Sequence, residues 1–484
     1  MKPLSKYDVV IVGGGPAGLF AAYELSFHTG KLRVLLIDKG RRVENRLCPM
    51  FDIANKSRIH RCRMCNPCNI MYGIGGAGAL SSGIINLRPD VGGDLDKLLG
   101  SWEDAMRIVT YIDSILRKFG AQGELVNVED SSELERLVAK AGGRFIPTPQ
   151  RRVGSDKMPN VIYSMEKYLE NSGVKILVET SVDDIDVDGG SYIVKTTSGT
   201  FTARHLILAP GRGGARWFST ISRKLGIETE PGPLDIGVRI EVPSYIAEPV
   251  TSIVKDPKII LYTKSYDDKV RTFCTNPKGF VVRELYDDGT VGVNGESYIE
   301  VKSRNTNFAL LVTINLTDPM EDTVEYGKHI ASLTTKLGGG KPLIQRFGDL
   351  LSGRRSTWGR IGRSIVEPTL RDATPGDISM AYPHRVIENI IEAIERLDVV
   401  MPGLASYNTL LYAPEIKFYS VKTRVSRNFE TNLENIYVAG DGAGLSRGIN
   451  IAAATGVLAA RSIIEKEGLR EAFQDHLFLD VYSR

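Results

Sequence analysis

Two short apolar runs near the start of the chain, residues 7–12 (Tyr-Asp-Val-Val-Ile-Val) and 32–37, flank a stretch at 19–27 whose apolar residues recur at helical spacing. The pattern predicts strand, turn, helix, strand. A further strand is expected at 205–209 and another at 436–441 (Ile-Tyr-Val-Ala-Gly-Asp), the latter followed by a small-residue helix over about 450–464. Between these lie helical patterns at 104–119 and 132–141 and strand patterns at 174–178 and 192–197, with turn signals at 188–190 and 198–199. From Leu234 strands dominate: 236–242, 259–262, 280–283 and 308–314, with helices at 324–337 and 384–397.

Composition changes this picture in one respect. Of 484 residues 49 are glycine, and they cluster at a few sites, which points to close backbone–ligand approach. Lys+Arg 61 against Asp+Glu 58 leaves a net charge of +3, which excludes a strongly basic nucleic-acid coat and an acidic solvating chain. No apolar stretch approaches the roughly 18–20 residues of a membrane-spanning helix, and no export signal is read, so a cytoplasmic, reducing setting is expected.

Gly13-Gly14-Gly15-Pro16-Ala17-Gly18 joins the first strand to its helix, and Asp38 ends the second strand about 20 residues after Gly18. Gly13 permits a tight turn, Gly15 lets a pyrophosphate approach the backbone, and Gly18 lets helix and strand pack closely. The helix N-terminus offers free N–H groups to phosphate, and Asp38 can accept from a ribose diol. Gly73-Ile-Gly-Gly-Ala-Gly78 is a second glycine loop, suited to lie against a flat or charged group. No second Gly-x-Gly-x-x-Gly occurs in a strand–helix setting, so no dedicated NAD(P)H domain is expected.

Four of the five cysteines, Cys48, Cys62, Cys65 and Cys68, fall in one segment. Three at Cys-x2-Cys-x2-Cys spacing plus a fourth fit a [4Fe–4S] cluster first, a zinc site second, and a redox dithiol or inert thiols otherwise. Lys56, Arg58, His60, Arg61 and Arg63 surround them. A solvated basic loop and a docking face for an acidic electron carrier both stand. Arg151 and Arg152 could meet an anionic substrate, and the arginines of 353–363 a carboxylate or phosphate, with a solvated loop the preferred reading of both; Cys274 is a candidate active-site thiol, with an ordinary buried cysteine preferred. No catalytic acid or base is assigned.

The chain resembles the FAD-dependent (FAD-utilising) dehydrogenases of uncharacterised reaction, within the glutathione-reductase-like flavoproteins. The residues carrying the resemblance are Gly13–Gly18, Cys62-Arg-Met-Cys65-Asn-Pro-Cys68, Gly73-Ile-Gly-Gly-Ala-Gly-Ala-Leu80, Asp235-Ile-Gly-Val-Arg-Ile-Glu241, Phe273-Cys274, Val293-Asn-Gly-Glu-Ser297 and Gly440-Asp-Gly-Ala-Gly444. Ser81-Ser82-Gly83 stands where that family usually has Ser-Asp-Gly, and Asn276 where a second cysteine is frequent, so substrate identity does not carry over. The resemblance implies FAD, with Asp441 on the ribitol hydroxyls and the following helix aimed at the flavin pyrimidine. The expected FAD-binding set is Gly13, Gly15, Pro16, Ala17, Gly18, Asp38, Lys39, Gly75, Gly76, Ala77, Gly78, Ala209, Gly211, Gly440, Asp441, Gly448, Ile449 and Asn450.

The expected fold is α/β: a discontinuous FAD domain of the two-dinucleotide-binding-domain (Rossmann-like) type, with an inserted, mainly β substrate domain. Its segments are 1–112 (with the cysteine loop 48–68), a helical insertion 113–160, 161–234, the substrate domain 235–404, and 405–484. The expected activity is hydride or electron transfer between flavin N5 and a small organic substrate, with NAD(P)H or a ferredoxin-like carrier as electron partner. The alternatives are a flavin reductase of isoprenoid or polyene double bonds, and a non-catalytic FAD-binding partner in thiol transfer or RNA modification. Nucleic acid is not expected as a ligand, since the charge is nearly balanced.

Overall fold

The first apolar run, Ser5–Val12, takes the centre of a seven-stranded sheet ordered Lys175–Leu177, Val34–Ile37, Ser5–Val12, Gly199–Leu208, Ser191–Thr196, Val182–Asp188, with Ile436–Val438 paired to the end of Gly199–Leu208. Its central pairings are parallel. Parallel strands are covered on both faces and read as continuous apolar runs, as Val9–Val12 and Val34–Ile37 do here. The computed structural model describes residues 5–49, 63–81, 83–126, 128, 131–230, 232, 234–286, 288–314, 323–418 and 422–469.

Two helices start at the C-terminal edge of this sheet and pack on each other: Pro16–Ser26 and Ile449–Lys466. They approach so closely that a Cβ on Gly456 would lie 1.9 Å from the carbonyl oxygen of Ala17. The small-residue pattern of the second helix is therefore a packing requirement, and it holds together segments from opposite ends of the chain. With the strand at Gly199–Leu208, three separate segments build one Rossmann-like unit, as expected.

The second unit is an eight-stranded, mostly antiparallel sheet ordered Thr374–Pro375, Leu343–Arg346, Leu410–Phe418, Leu234–Pro243, Asn305–Ile314, Lys269–Asn276, Ile259–Tyr262, Gly143–Phe145. Along its central strand Leu234, Ile236, Val238, Ile240 and Val242 enter a core shared with the helices His384–Leu397 and Ser132–Lys140. The alternate residues Asp235, Arg239 and Glu241 face the other way, yet all ten positions are buried. A strand that alternates normally turns its polar side to water. Here that side is roofed by the hairpin Phe280–Leu285/Val291–Glu296.

One expectation changes. Gln150–Arg152 is a strand, paired with Ile84–Asn86 and Glu124–Val126. Arg151 is buried there and donates to both oxygens of Asp113, at 2.6 and 2.7 Å. It is structural, not solvated, because the helix Trp102–Lys118 presents a carboxylate in its path. The arginines 354, 355 and 363 are exposed, as expected, whereas Arg360 is half-buried and donates to the carbonyl of Arg355 at 2.8 Å. Among the described residues no helix is long and apolar enough to cross a membrane.

Candidate functional site

The turn after the first strand brings the glycines of two loops together. Gly13 has φ +107°, and a Cβ there would lie 2.0 Å from the carbonyl oxygen of Ala209. Gly76 of the second loop has φ +54°, and its Cβ would come within 2.9 Å of the Cα of Gly15. A Cβ on Gly15 would meet nothing nearer than 3.8 Å. The loops are thus locked by backbone contact and leave a channel beside Gly15. Asp38 ties the first loop down, accepting from the N–H of Gly14 at 2.8 Å and of Gly40 at 2.7 Å.

The helix Pro16–Ser26 begins at this channel with no side-chain cap, so its first N–H groups stay available for an anion. The helix Ile449–Lys466 begins at the same cavity, capped only by the backbone of Gly448. Its Asn450 donates to the carbonyl of Asn86 at 3.0 Å, while its buried Oδ1 receives no donor. Asp441 accepts from Ser446 Oγ at 2.5 Å, and Gly440 N–H donates to Thr455 Oγ1 at 2.9 Å.

Of the expected FAD-binding residues, Gly13, Gly15, Pro16, Ala17, Asp38, Gly76, Ala77, Gly78, Ala209, Gly211, Gly440, Asp441, Gly448, Ile449 and Asn450 line one cavity. Gly18, Lys39 and Gly75 do not. Gly18 sits under the turn, where a Cβ would be 1.8 Å from the Gly13 oxygen. Gly75 packs on Ala79 and Ile162, and the Lys39 ammonium lies over the Tyr72 ring at 3.9 Å. The open channel beside Gly15, the uncapped helix starts and the orphaned Asn450 oxygen fit a flavin dinucleotide.

Sequence reasoning missed Arg46. It is fully buried and donates to three backbone carbonyls, of Asn69, Ile70 and Ile74, at 3.0, 3.0 and 2.7 Å. It thereby fixes the entry to the second glycine loop, and burial pulls its pKa down to about 10. A lone arginine in an otherwise unpatterned segment gives no signal in the sequence.

The far wall of the cavity is the polar side of the eight-stranded sheet. Phe273 lies there with Lys258, Arg271 and Lys417 around its ring, at 5.3, 4.9 and 5.6 Å from the centroid. Behind it Arg239 donates to Glu415 at 2.9 and 3.2 Å, to Asn307 at 2.9 Å, to Asn294 at 3.2 Å and to the carbonyl of Cys274 at 3.1 Å. Burial works to raise the Glu415 carboxyl, but Arg239 and Lys417 outweigh it and hold it below its ordinary range. Arg212 links the two walls, 3.9 Å from Asp441 and 3.7 Å from Glu284.

Cys274 is not the ordinary buried cysteine expected. It is half-buried, lines the cavity and sits at a register shift of its strand with φ +49°. Its Sγ is 3.8 Å from Asn294 Oδ1 and 3.7 Å from Asn276 Nδ2.

The cysteine cluster fares differently. Among the described residues no three His, Cys, Asp or Glu side chains gather as a metal site. Cys62 lies outside the described residues. Cys65 and Cys68 are free thiols, and Cys48 packs against the apolar cluster around Val281, Ile344 and Tyr412. Burial raises the Cys68 thiol above its ordinary range, against the opposing pull of the N–H groups of Ile70, Leu285 and Met71.

A family profile described as "FAD-dependent protein, C-terminal domain-like" matches residues 233–417, and an "NAD(P)-binding Rossmann-like domain" matches 11–43. An uncharacterized protein of Clostridium beijerinckii is 27% identical over 477 residues, covering 94% of this chain and 80% of that protein. A glycine oxidase of Geobacillus kaustophilus is 24% identical over 256 residues, 49% of this chain and 63% of that enzyme. The crystal structure of glycine oxidase from Geobacillus kaustophilus superposes with a TM-score of 0.43 at 12% identity, covering 95% of each chain. The common ground of these matches is an FAD-dependent oxidoreductase class; the glutathione-reductase-like subdivision stays a reading of the sequence.

Proposed function

We propose that this FAD-dependent oxidoreductase moves a hydride or electrons between flavin N5 and a small organic substrate lodged against the eight-stranded sheet. The observation that supports it is the single cavity running from the glycine turns to Phe273 and Cys274. FAD, when bound, supplies the redox chemistry. The chain supplies the rest. The uncapped starts of the helices Pro16–Ser26 and Ile449–Lys466 offer N–H groups and positive dipole ends to anionic parts of the dinucleotide. Asp38 and Asp441 keep carboxylate lone pairs for the ribose and ribitol hydroxyls. Met71, Ile146, Ile259 and Phe273 contribute apolar surface that keeps water from the substrate side.

The test is purification under anaerobic conditions, with flavin released and counted and with iron and zinc measured on the same sample. About one FAD per chain is expected, followed by bleaching of the flavin when a true substrate is added. The likeness to glycine oxidase makes small amines and amino acids the first to try, and NAD(P)H and ferredoxin the first electron partners. A folded chain that takes up no FAD overturns the proposal. Absence of both metals removes the ligand set Cys48, Cys62, Cys65 and Cys68 and leaves the redox-dithiol reading.

A further inference from the structure

The wall around Phe273 has a charge arrangement that the proposed function does not require. Lys258 and Lys417 are 8% and 3% exposed, so both cations are more than nine-tenths buried. Lys258 pairs with Asp256, Arg271 with Asp235 at 2.6 Å, and Lys417 with Glu415 at 2.5 Å. The three cations and Phe273 line the cavity, whereas Asp235 and Glu415 do not reach it. The positive ends therefore face inward, with two of the three carboxylates behind them. Glu415 is also the partner of the fully buried Arg239. Around Phe273 the charges are four cations, Arg239, Lys258, Arg271 and Lys417, and four carboxylates, Asp235, Asp256, Glu415 and Glu284, the last acting on Arg239; of these, three cations line the cavity against one carboxylate, Asp256, so the excess lies at the cavity surface.

Burying charge is costly unless it is paired, and a buried excess of one sign calls for a counter-ion. Lys269 adds to the excess, since it lines the same cavity beside Arg271. Burial first, and Arg271 next, pull its pKa down, so it already senses the positive surroundings. The apolar ring between the cations supplies a surface for the carbon skeleton attached to an anionic group.

We propose that the wall formed by Phe273, Lys258, Arg271 and Lys417 is an oxyanion subsite, and that the substrate carries a carboxylate or phosphate group which docks there while its reacting carbon points toward the flavin site. This deepens the proposed function and rests on it, because the subsite orients a substrate only if flavin occupies the glycine cradle. The shared chemistry of the two ligand types is a compact oxyanion recognised by two lysines and one arginine whose own carboxylate partners hold them in place.

The experiment titrates the FAD-loaded full-length protein with succinate and, separately, with inorganic phosphate, at constant ionic strength in sodium chloride. The flavin absorbance and the thermal midpoint are read together, and the FAD content of each sample is counted. A saturable response to at least one probe is expected. Lys258→Gln and Lys417→Gln should each raise its Kd about tenfold or more, Lys417→Arg should stay near the parent, and Arg363→Gln, on the exposed basic loop, should leave it unchanged. A response to succinate alone assigns a carboxylate substrate, and to phosphate alone a phosphate ester. Should the Gln variants fail to fold, acetylation of the parent protein gives the answer: either probe should protect Lys269. No saturable response in the FAD-loaded protein overturns the subsite, as do equal Kd values in folded Gln variants or unprotected Lys269. A chain without FAD that still shows the thermal shift and the protection would retain the subsite and lose the proposed function, so the two failures are separable.

Discussion

The two walls of the cavity are made of opposite materials. The glycine cradle is backbone: Gly13, Gly15 and Gly76 contribute no side chain, and the contacts that hold the cradle run between N–H groups, carbonyls and one carboxylate. The opposite wall is side chain: Arg239, Glu415, Lys417, Asp235 and Arg271 are charged, and the first four are at most 3% exposed. A site made of backbone fails when an atom is added. A site made of buried charge fails when one is removed. At Gly15, where a Cβ has room, the first should therefore lose ligand without losing stability, and the second should lose stability itself.

The largest expected effect tests the charged wall. Arg239→Met takes one donor each from Asn307, Asn294 and the carbonyl of Cys274, which keep Asn276 Nδ2 or the Gly295 N–H, and leaves Glu415 with Lys417 alone. A loss of about 3–5 kcal/mol in urea unfolding is expected. Arg239→Lys should recover little of it, because one ammonium does not span acceptors that a planar guanidinium reaches together. Full stability in the Met variant would break the comparison. Next in size is Gly15→Val. Its φ is already negative, and a Cβ there meets only the Cα of Gly76, at an ordinary contact distance of 3.8 Å. Unfolding should hardly change, while FAD affinity falls about 100-fold, or about 2.7 kcal/mol, read by flavin fluorescence titration. Arg46→Met crosses the two categories, being a buried charge that serves the cradle. It orphans three carbonyls, so a stability loss of about 2–4 kcal/mol should come together with weaker FAD binding.

The same contrast explains what could be read without coordinates. A backbone site leaves a local signature, since the tight turn, the close approach and the acid after the second strand all follow from contiguous residues such as Gly13–Gly18 and Asp38. The charged wall leaves none. Arg239, Arg271 and Lys417 lie on three different strands, and only the sheet register brings them together, Gly237 opposite Glu415 and Arg239 opposite Tyr412. The one available signal was Asp235, Arg239 and Glu241 alternating with apolar residues on a strand flanked by others on both sides. Lys258, just outside a strand, offered not even that. The cysteine spacing is a different case. Spacing along the chain shows that thiols can converge; Cys48 packs against an apolar cluster of the other unit, and Cys62 lies outside the described residues.

The smallest effect sharpens the comparison from within the charged wall. Glu241 lies two residues from Arg239 on the same strand and is fully buried. Yet the groups bonded to it are neutral: Thr369, Tyr412 at 2.7 Å and Asn305 at 3.1 Å. Burial outweighs these hydrogen bonds and raises its pKa above the ordinary 4.5, the reverse of Glu415, which two cations hold down. An acid whose folded pKa is raised holds its proton in the native state after the unfolded chain has released it. Native protein then binds more protons than unfolded protein, and stability falls as pH rises from 4.5 through the raised value, by at most about 1.4 kcal/mol per pH unit. Glu241→Gln keeps the shape and removes the titration. It should match the parent at acid pH and become progressively more stable than it as pH rises, in urea unfolding followed across that window. A difference that runs the other way, with the parent gaining stability relative to Glu241→Gln as pH rises, would mean that Glu241 is held charged by a cation after all, and the wall would then be charge-built without exception.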